Sequence, residues 1–439
     1  MKTTFPINTG LTIVLVLAAA TLGQAQNTAP AADSISELKF EVILTRHGVR
    51  SPTGKTDLLN KFSAQPWPAW TVPPGNLTEH GAKLMTLFGA YDRALLAQQG
   101  LLSATGCDDS SHVTILADSD QRTRETGKAI AAGLLPACSV EVHALAEGTN
   151  DPLFHPLGAG LGHPDKLLAT AAVAGRIGNN PAGLSEAYRP QLQALEAILH
   201  SCKPGASCQP SPASLFDIPA SIGPGKGDHL ADLRSPLGTA ATMAENLLLE
   251  YTEGMAPVGW GQVDAKKLRE LMELHTASAD LERRTGYLAR IQASNLLAHI
   301  LDSLEQAADG MPVAGALTKP ADKLLILVGH DTNLSNIAGD LDLSWLIDGR
   351  RDDTPPGGAL VFELWQSHGP IGSKPGYSVR AYYTAQTLDQ MRSATPLTIA
   401  SRPDRAPVFV PGCSQADMSC PWSAFQSTIH AAIDPEFVR

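Results

Sequence analysis

Residues 39–53 read KFEVILTRHGVRSPT, and this stretch decides the fold. Its first half, 39–45, is short, apolar and rich in β-branched side chains, which predicts a buried strand that ends directly at Arg46-His47-Gly48. The same pattern returns twice. HVTILA at 112–117 runs into DSDQRTR at 118–124 and a helical stretch to 135, and KLLILV at 323–328 runs into GHDTN at 329–333 and another predicted helix. Three strands thus end in polar turns that precede helices. In α/β sheets the ligand crevice lies outside the carboxyl ends of the strands, so turns far apart in sequence can converge there.

Further strands are expected at 140–145, 360–365 and 379–384, with an antiparallel edge. Residues 164–318 are different material, rich in Ala, Leu, Glu and Arg at helical spacing, as at 240–251 and 280–306, and broken by a Gly/Pro/Ser stretch at 203–227. The expected organisation is an α/β core from 26–163 and 319–439, with a mostly helical insertion, 164–318, capping the site. Residues 1–25 read as a signal peptide: Lys2, an apolar run over 11–22, and small residues suited to cleavage after Ala25. The mature protein is therefore expected to be exported, periplasmic or secreted, and not a membrane protein.

A formal net charge of -11 argues against nucleic acid or an anionic membrane as partner, so any cationic site must be locally concentrated. The six cysteines, an even number in an exported chain, suggest disulfides, and pairing of sequence neighbours is the simplest choice: Cys107 with Cys138, Cys202 with Cys208, Cys413 with Cys420. No zinc-type spacing surrounds them. The other histidines, His155 and His229 among them, show no metal-ligand spacing either, and neither a metal nor a cofactor is expected.

The turns hold every part that phosphoryl transfer needs. His47 is a candidate nucleophile, because a neutral imidazole can form a phosphoramidate that water later attacks. Arg46, Arg50 and Arg122 can grip phosphate oxygens through forked donors, and Gly48 would let backbone come close. Arg122 is preferred over Arg124 because it is nearer its strand end. His330 is a further donor. Asp331 can protonate the leaving oxygen and then activate water, although a helix N-cap is its alternative role. Clustered arginines should lower the Asp331 pKa and keep His47 neutral, so activity should favour acidic pH. The Trp67 and Trp70 cluster reads as loop packing rather than a ligand surface.

RHGVRSPT at 46–53 with HDTN at 330–333 resembles the paired signatures of the histidine acid phosphatase family, clade 2 of the histidine phosphatase superfamily. DSDQRTRETG at 118–127, NDPLFHPL at 150–157, GMAPVGWG at 254–261 and DDTPPGGALVFELW at 352–365 are similar to segments of its bacterial phytase group. The resemblance implies a phosphoglycerate mutase-like sheet domain flanked by helices, with a mostly helical second domain inserted and no metal requirement. It makes His47 the nucleophile, Asp331 the proton donor, and Arg46, Arg50, Arg122 and His330 the phosphate ligands. Thr53, Met243, His275 and Arg284 fall where bacterial phytases line the substrate pocket. Gly54 stands where the phytase pattern has a lysine, with Lys55 next to it.

The implied substrate is a small phosphomonoester, inositol hexakisphosphate first, with glucose 1-phosphate or another sugar phosphate as the alternative and a monomer as the expected state. A cytosolic mutase-like transferase is disfavoured by the signal peptide and cysteines. A silent binding protein is disfavoured because His47 and Asp331 are both kept.

Overall fold

The strand predicted at 39–45 is Ser36–Arg46, the centre of the main sheet in the computed structural model, which describes residues 36–439 apart from 55, 204 and 368–375. The expected signal peptide and Lys55 lie outside the described residues. Ser36–Arg46 pairs in parallel with Leu324–Gly329, which pairs in parallel with Val113–Ala117, and Val142–His143 closes that edge. On its other side Ser36–Arg46 pairs antiparallel with Ala359–Ser367, followed by Gly376–Ala385 and then Asp404–Val408. The sheet is therefore mixed, parallel where the polar turns leave it and antiparallel beyond. The strand expected at 140–145 shortens to two residues, Val142–His143.

Alternation sets the two faces of the sheet. Phe40, Val42 and Leu44 join Leu325, Leu327, Leu360 and Phe362 in one buried cluster, whereas Ile43 joins Ile115, Ile326 and Val361 in another on the opposite face. The helices Glu79–Gln98 and Gln121–Leu134 cover the second face, contributing Met85, Phe88, Ile130 and Leu134. Helix Gly286–Asp309, grouped with the insertion by sequence pattern, packs on the first face through Leu296, Leu297, Ile300 and Leu304. A third apolar cluster is centred on the remaining helical stretch, where Pro236–Thr252 and Ala265–Arg283 bury Leu247, Leu248, Leu268 and Leu271, and it takes in Val49, Trp67 and Leu388 from outside that stretch. The three disulfides pair the cysteines as expected: Cys107–Cys138, Cys202–Cys208 and Cys413–Cys420. Among the described residues no helix is long and apolar enough to cross a membrane.

Gly48 also answers to packing. A Cβ there would lie 2.8 Å from Met85 Cγ and 3.1 Å from the Gly81 carbonyl oxygen, and a Cβ on Gly81 would lie 2.1 Å from the Val49 carbonyl oxygen. The two glycines let the His47 loop sit directly on the first turn of helix Glu79–Gln98, so Gly48 serves loop-to-helix contact.

Candidate active site

His47 is pinned by its backbone. Its N–H donates to the Gly329 carbonyl at 3.0 Å, and its own carbonyl accepts from the Gly357 N–H at 3.0 Å. The strand and its parallel neighbour thereby fix the ring at the carboxyl end of the sheet. Nδ1 lies 2.9 Å from the Gly48 carbonyl oxygen, which can only accept, so Nδ1 carries the proton and Nε2 keeps its lone pair. Burial, then Arg50, Arg46 and Arg122, hold the His47 pKa well below the ordinary histidine range. A neutral ring with a free Nε2 is the nucleophilic form.

The cations come from two turns. Arg46, fully buried, donates to the Thr354 carbonyl at 2.6 Å and pairs with Glu245; burial opposes its charge, but Glu245 and Asp331 outweigh it and raise its pKa. Arg50 lies 3.7 Å from the same Glu245 oxygen, and burial, with Arg46 beside it, pushes it down to about 10. Arg122, at the start of Gln121–Leu134, pairs with Asp120 at 2.5 Å and reaches 3.4 Å from His330 Nδ1. Arg124 instead lies at the surface, 3.9 Å from Glu147.

His330 caps helix Asp331–Asp340, with its N–H donating to Asn333 Oδ1 at 2.9 Å, and its ring stands edge-on to His47 with centroids 5.6 Å apart. Its Nε2 lies 2.6 Å from Asp118 Oδ2. The N-cap is thus His330, and Asp331 is the first helical residue. Asp331 Oδ2 accepts from Arg283 Nη1 at 2.6 Å. Burial would raise the Asp331 pKa, but Arg283, Arg46 and His275 prevail and hold it well below the usual carboxylate range.

Residues 37–177 match the family described as the histidine phosphatase superfamily (branch 2). Phytase AppA of Escherichia coli is 36% identical over 92% of this chain and 94% of its own length. The chain belongs to the histidine phosphatase superfamily, branch 2. Glucose-1-phosphatase of Salmonella typhimurium is 28% identical over 90% of this chain and 92% of its own. The solved Hafnia alvei phytase in complex with myo-inositol hexakis sulphate superposes with a TM-score of 0.82 at 34% identity, covering 94% of this chain and all of that one.

In this branch-2 histidine phosphatase the convergent turns open on a cleft with two lobes that share Arg50, Arg283 and Asp331. One lobe, of about 400 Å³, is lined by Thr53, Gly54, Glu245, Asn246 and His275; the other, of about 310 Å³, by His47, Arg122, His155, His229 and His330. Thr53 and His275 both line the cleft. His275 Nε2 is 3.6 Å from Glu245 and 4.0 Å from Asp331.

Met243 and Arg284 do not. Helix Pro236–Thr252 turns Gly238, Ala241, Thr242, Glu245 and Asn246 to the cleft, a spacing of three and four residues, which leaves Met243 facing the apolar cluster behind, fully buried. Arg284 caps helix Ala265–Arg283 and turns away to the Leu343 carbonyl and Asp352, while Arg283 occupies the cleft. Adjacent arginines at a helix end point about 100° apart, and sequence alone offers no way to choose between them. Glu245 and Asp118 also escaped sequence reading. The helix carries two carboxylates among its apolar residues, Glu245 and Glu250, and nothing in the sequence singles out Glu245 as the one that faces the cleft.

Proposed function

We propose that the chain is an acid phosphomonoesterase with phytase-like preference, acting through a phosphohistidine at His47. The observation that carries this is the neutral His47 ring, its Nε2 left free, set among Arg46, Arg50 and Arg122 with Asp331 across the cleft. Nε2 attacks phosphorus, the P–N bond forms and the ester P–O bond breaks. Asp331 gives its proton to the departing oxygen. Water then attacks the phosphohistidine, Asp331 takes up its proton, and inorganic phosphate leaves. Arg46, Arg50, Arg122 and His330 hold the phosphoryl oxygens throughout, preorganised for the charge of the transition state.

Within residues 164–318, the helices Pro236–Thr252 and Ala265–Arg283 shape the cleft, supplying Glu245, His275 and Arg283 to it. Inositol hexakisphosphate is the preferred substrate, a reading supported by the similarity to phytases over nearly the whole chain. Export, after loss of residues 1–25, fits the three disulfides.

Initial rates on inositol hexakisphosphate and glucose 1-phosphate at acidic pH test the substrate. Faster release from glucose 1-phosphate would move the preference to a sugar phosphatase. Quenching turnover in alkali, where phosphohistidine survives, should trap the phosphoryl group on the parent and not on His47→Ala, whose turnover should fall by at least about a thousandfold.

A further inference from the structure

We propose that Asp118, His155 and His330 form a site for a divalent cation of the zinc class, and that its occupation disables the adjoining phosphoryl-transfer site. Two imidazoles meet one carboxylate oxygen here: His330 Nε2 at 2.6 Å and His155 Nε2 at 3.0 Å from Asp118 Oδ2. Asp120 Oδ2 lies 3.7 Å from the same His330 nitrogen. A zinc ion with bonds of about 2.0–2.1 Å at tetrahedral angles needs donors roughly 3.3 Å apart, so the two imidazoles need to spread from Asp118 by under about 1 Å. One carboxylate and two neutral imidazoles match the ion's taste for nitrogen and oxygen, and Asp120 nearby offsets part of the remaining charge.

A second observation points to the same ligand. Asp118 is fully buried, and its Oδ1 has no hydrogen-bond partner among the described residues. A buried carboxylate oxygen left unpaired is costly, and a cation relieves it. The way in is open, since the side chains of His155 and Asp120 are each 35% exposed and His155 borders the 310 Å³ lobe.

Occupation has a defined consequence. The ion takes the Nε2 lone pairs, so each neutral imidazole carries its proton on Nδ1, and any further proton leaves to solvent. On His330 that Nδ1 faces Arg122 Nη2, also a donor, at 3.4 Å, and two donors cannot share that contact. The ion also draws Asp120 from its pair with Arg122. The guanidinium is displaced and the phosphate grip weakens. The site itself does not depend on the phosphatase reading, although its effect on turnover does.

Cobalt(II) titrated into the intact protein near neutral pH should give the visible absorption of a four-coordinate nitrogen and oxygen site. Zinc should inhibit hydrolysis of p-nitrophenyl phosphate, a monoester that does not sequester the metal as inositol hexakisphosphate would, and a chelator should reverse it. His155→Asn should weaken cobalt binding and raise the half-inhibiting zinc concentration by at least about tenfold. Absence of the cobalt spectrum in the parent, or unchanged binding and zinc sensitivity in His155→Asn, would overturn the proposal. Cobalt binding without loss of turnover would overturn the coupling between the two sites.

Discussion

Arg283 Nη1 lies 2.6 Å from Asp331 Oδ2, so the proposed proton donor is ion-paired with a cation of its own cleft. A substrate phosphate competes for Arg283 and lets Asp331 protonate. Removing the cation raises the Asp331 pKa, and a general acid works only below its pKa. In Arg283→Ala the alkaline limb of the kcat/KM profile, which reads the free enzyme, should therefore move up by about one pH unit or more. The KM for inositol hexakisphosphate should rise as well, and Arg283→Lys should restore the limb in part. An unshifted limb would show that this pair does not set the Asp331 pKa in the free enzyme.

Glu245 binds Arg46 and lies 3.7 Å from Arg50, and burial makes it the main counter-charge of the cluster. Glu245→Gln leaves two buried guanidinium groups undercompensated, at a cost of roughly 3–5 kcal/mol. Inorganic phosphate supplies the missing charge. Urea denaturation should show a larger gain from phosphate in the variant than in the parent.

Gly81→Ala puts a Cβ 2.1 Å from backbone that cannot rotate away, whereas at Gly48 the tightest neighbour is a side-chain atom, Met85 Cγ at 2.8 Å. Gly81→Ala should thus be the more damaging of the two. Gly48→Ala should cost about 1–3 kcal/mol and tilt the His47 loop. Thermal denaturation ranks them, and equal losses would contradict the contact geometry.

Burial pushes the Asp92 carboxyl up to about 8, Glu250 to about 7 and Asp340 to about 7. Each is protonated when folded and ionised when unfolded across that window. Their contribution is complete below the ordinary carboxylate range and is lost as pH rises towards 7 or 8. Asp331 and Glu245, whose pKa values are lowered, act oppositely and lose stability as pH falls through acid. Urea midpoints should peak in mild acid and decline towards pH 8, and Asp92→Asn should flatten that decline. A parent midpoint that climbed from mild acid to pH 8 would contradict these shifts.

Much of the site was legible because its chemistry sits at strand ends. His47, Arg122 and His330 each follow a run of apolar residues with strand character, and the sheet delivers such turns to one edge. Helices gave less away. Glu245, Arg283 and Arg284 lie on or beside helices whose faces are set by packing, so their rotation about the axis is a tertiary result.

The sequence by itself determined the central strands of the sheet, its three polar turns, the disulfide partners and the family, since each rests on local pattern or on residues neighbouring in the chain. The edge strands Asp404–Val408 and Ser419–Pro421 were not legible in it. Tertiary structure decided what gathers across long separations: Glu245 onto Arg46, Arg283 rather than Arg284 onto Asp331, and His155 with His330 on Asp118. No spacing rule links positions 118, 155 and 330, because chain distance carries no information once strands and loops have folded them onto one carboxylate oxygen.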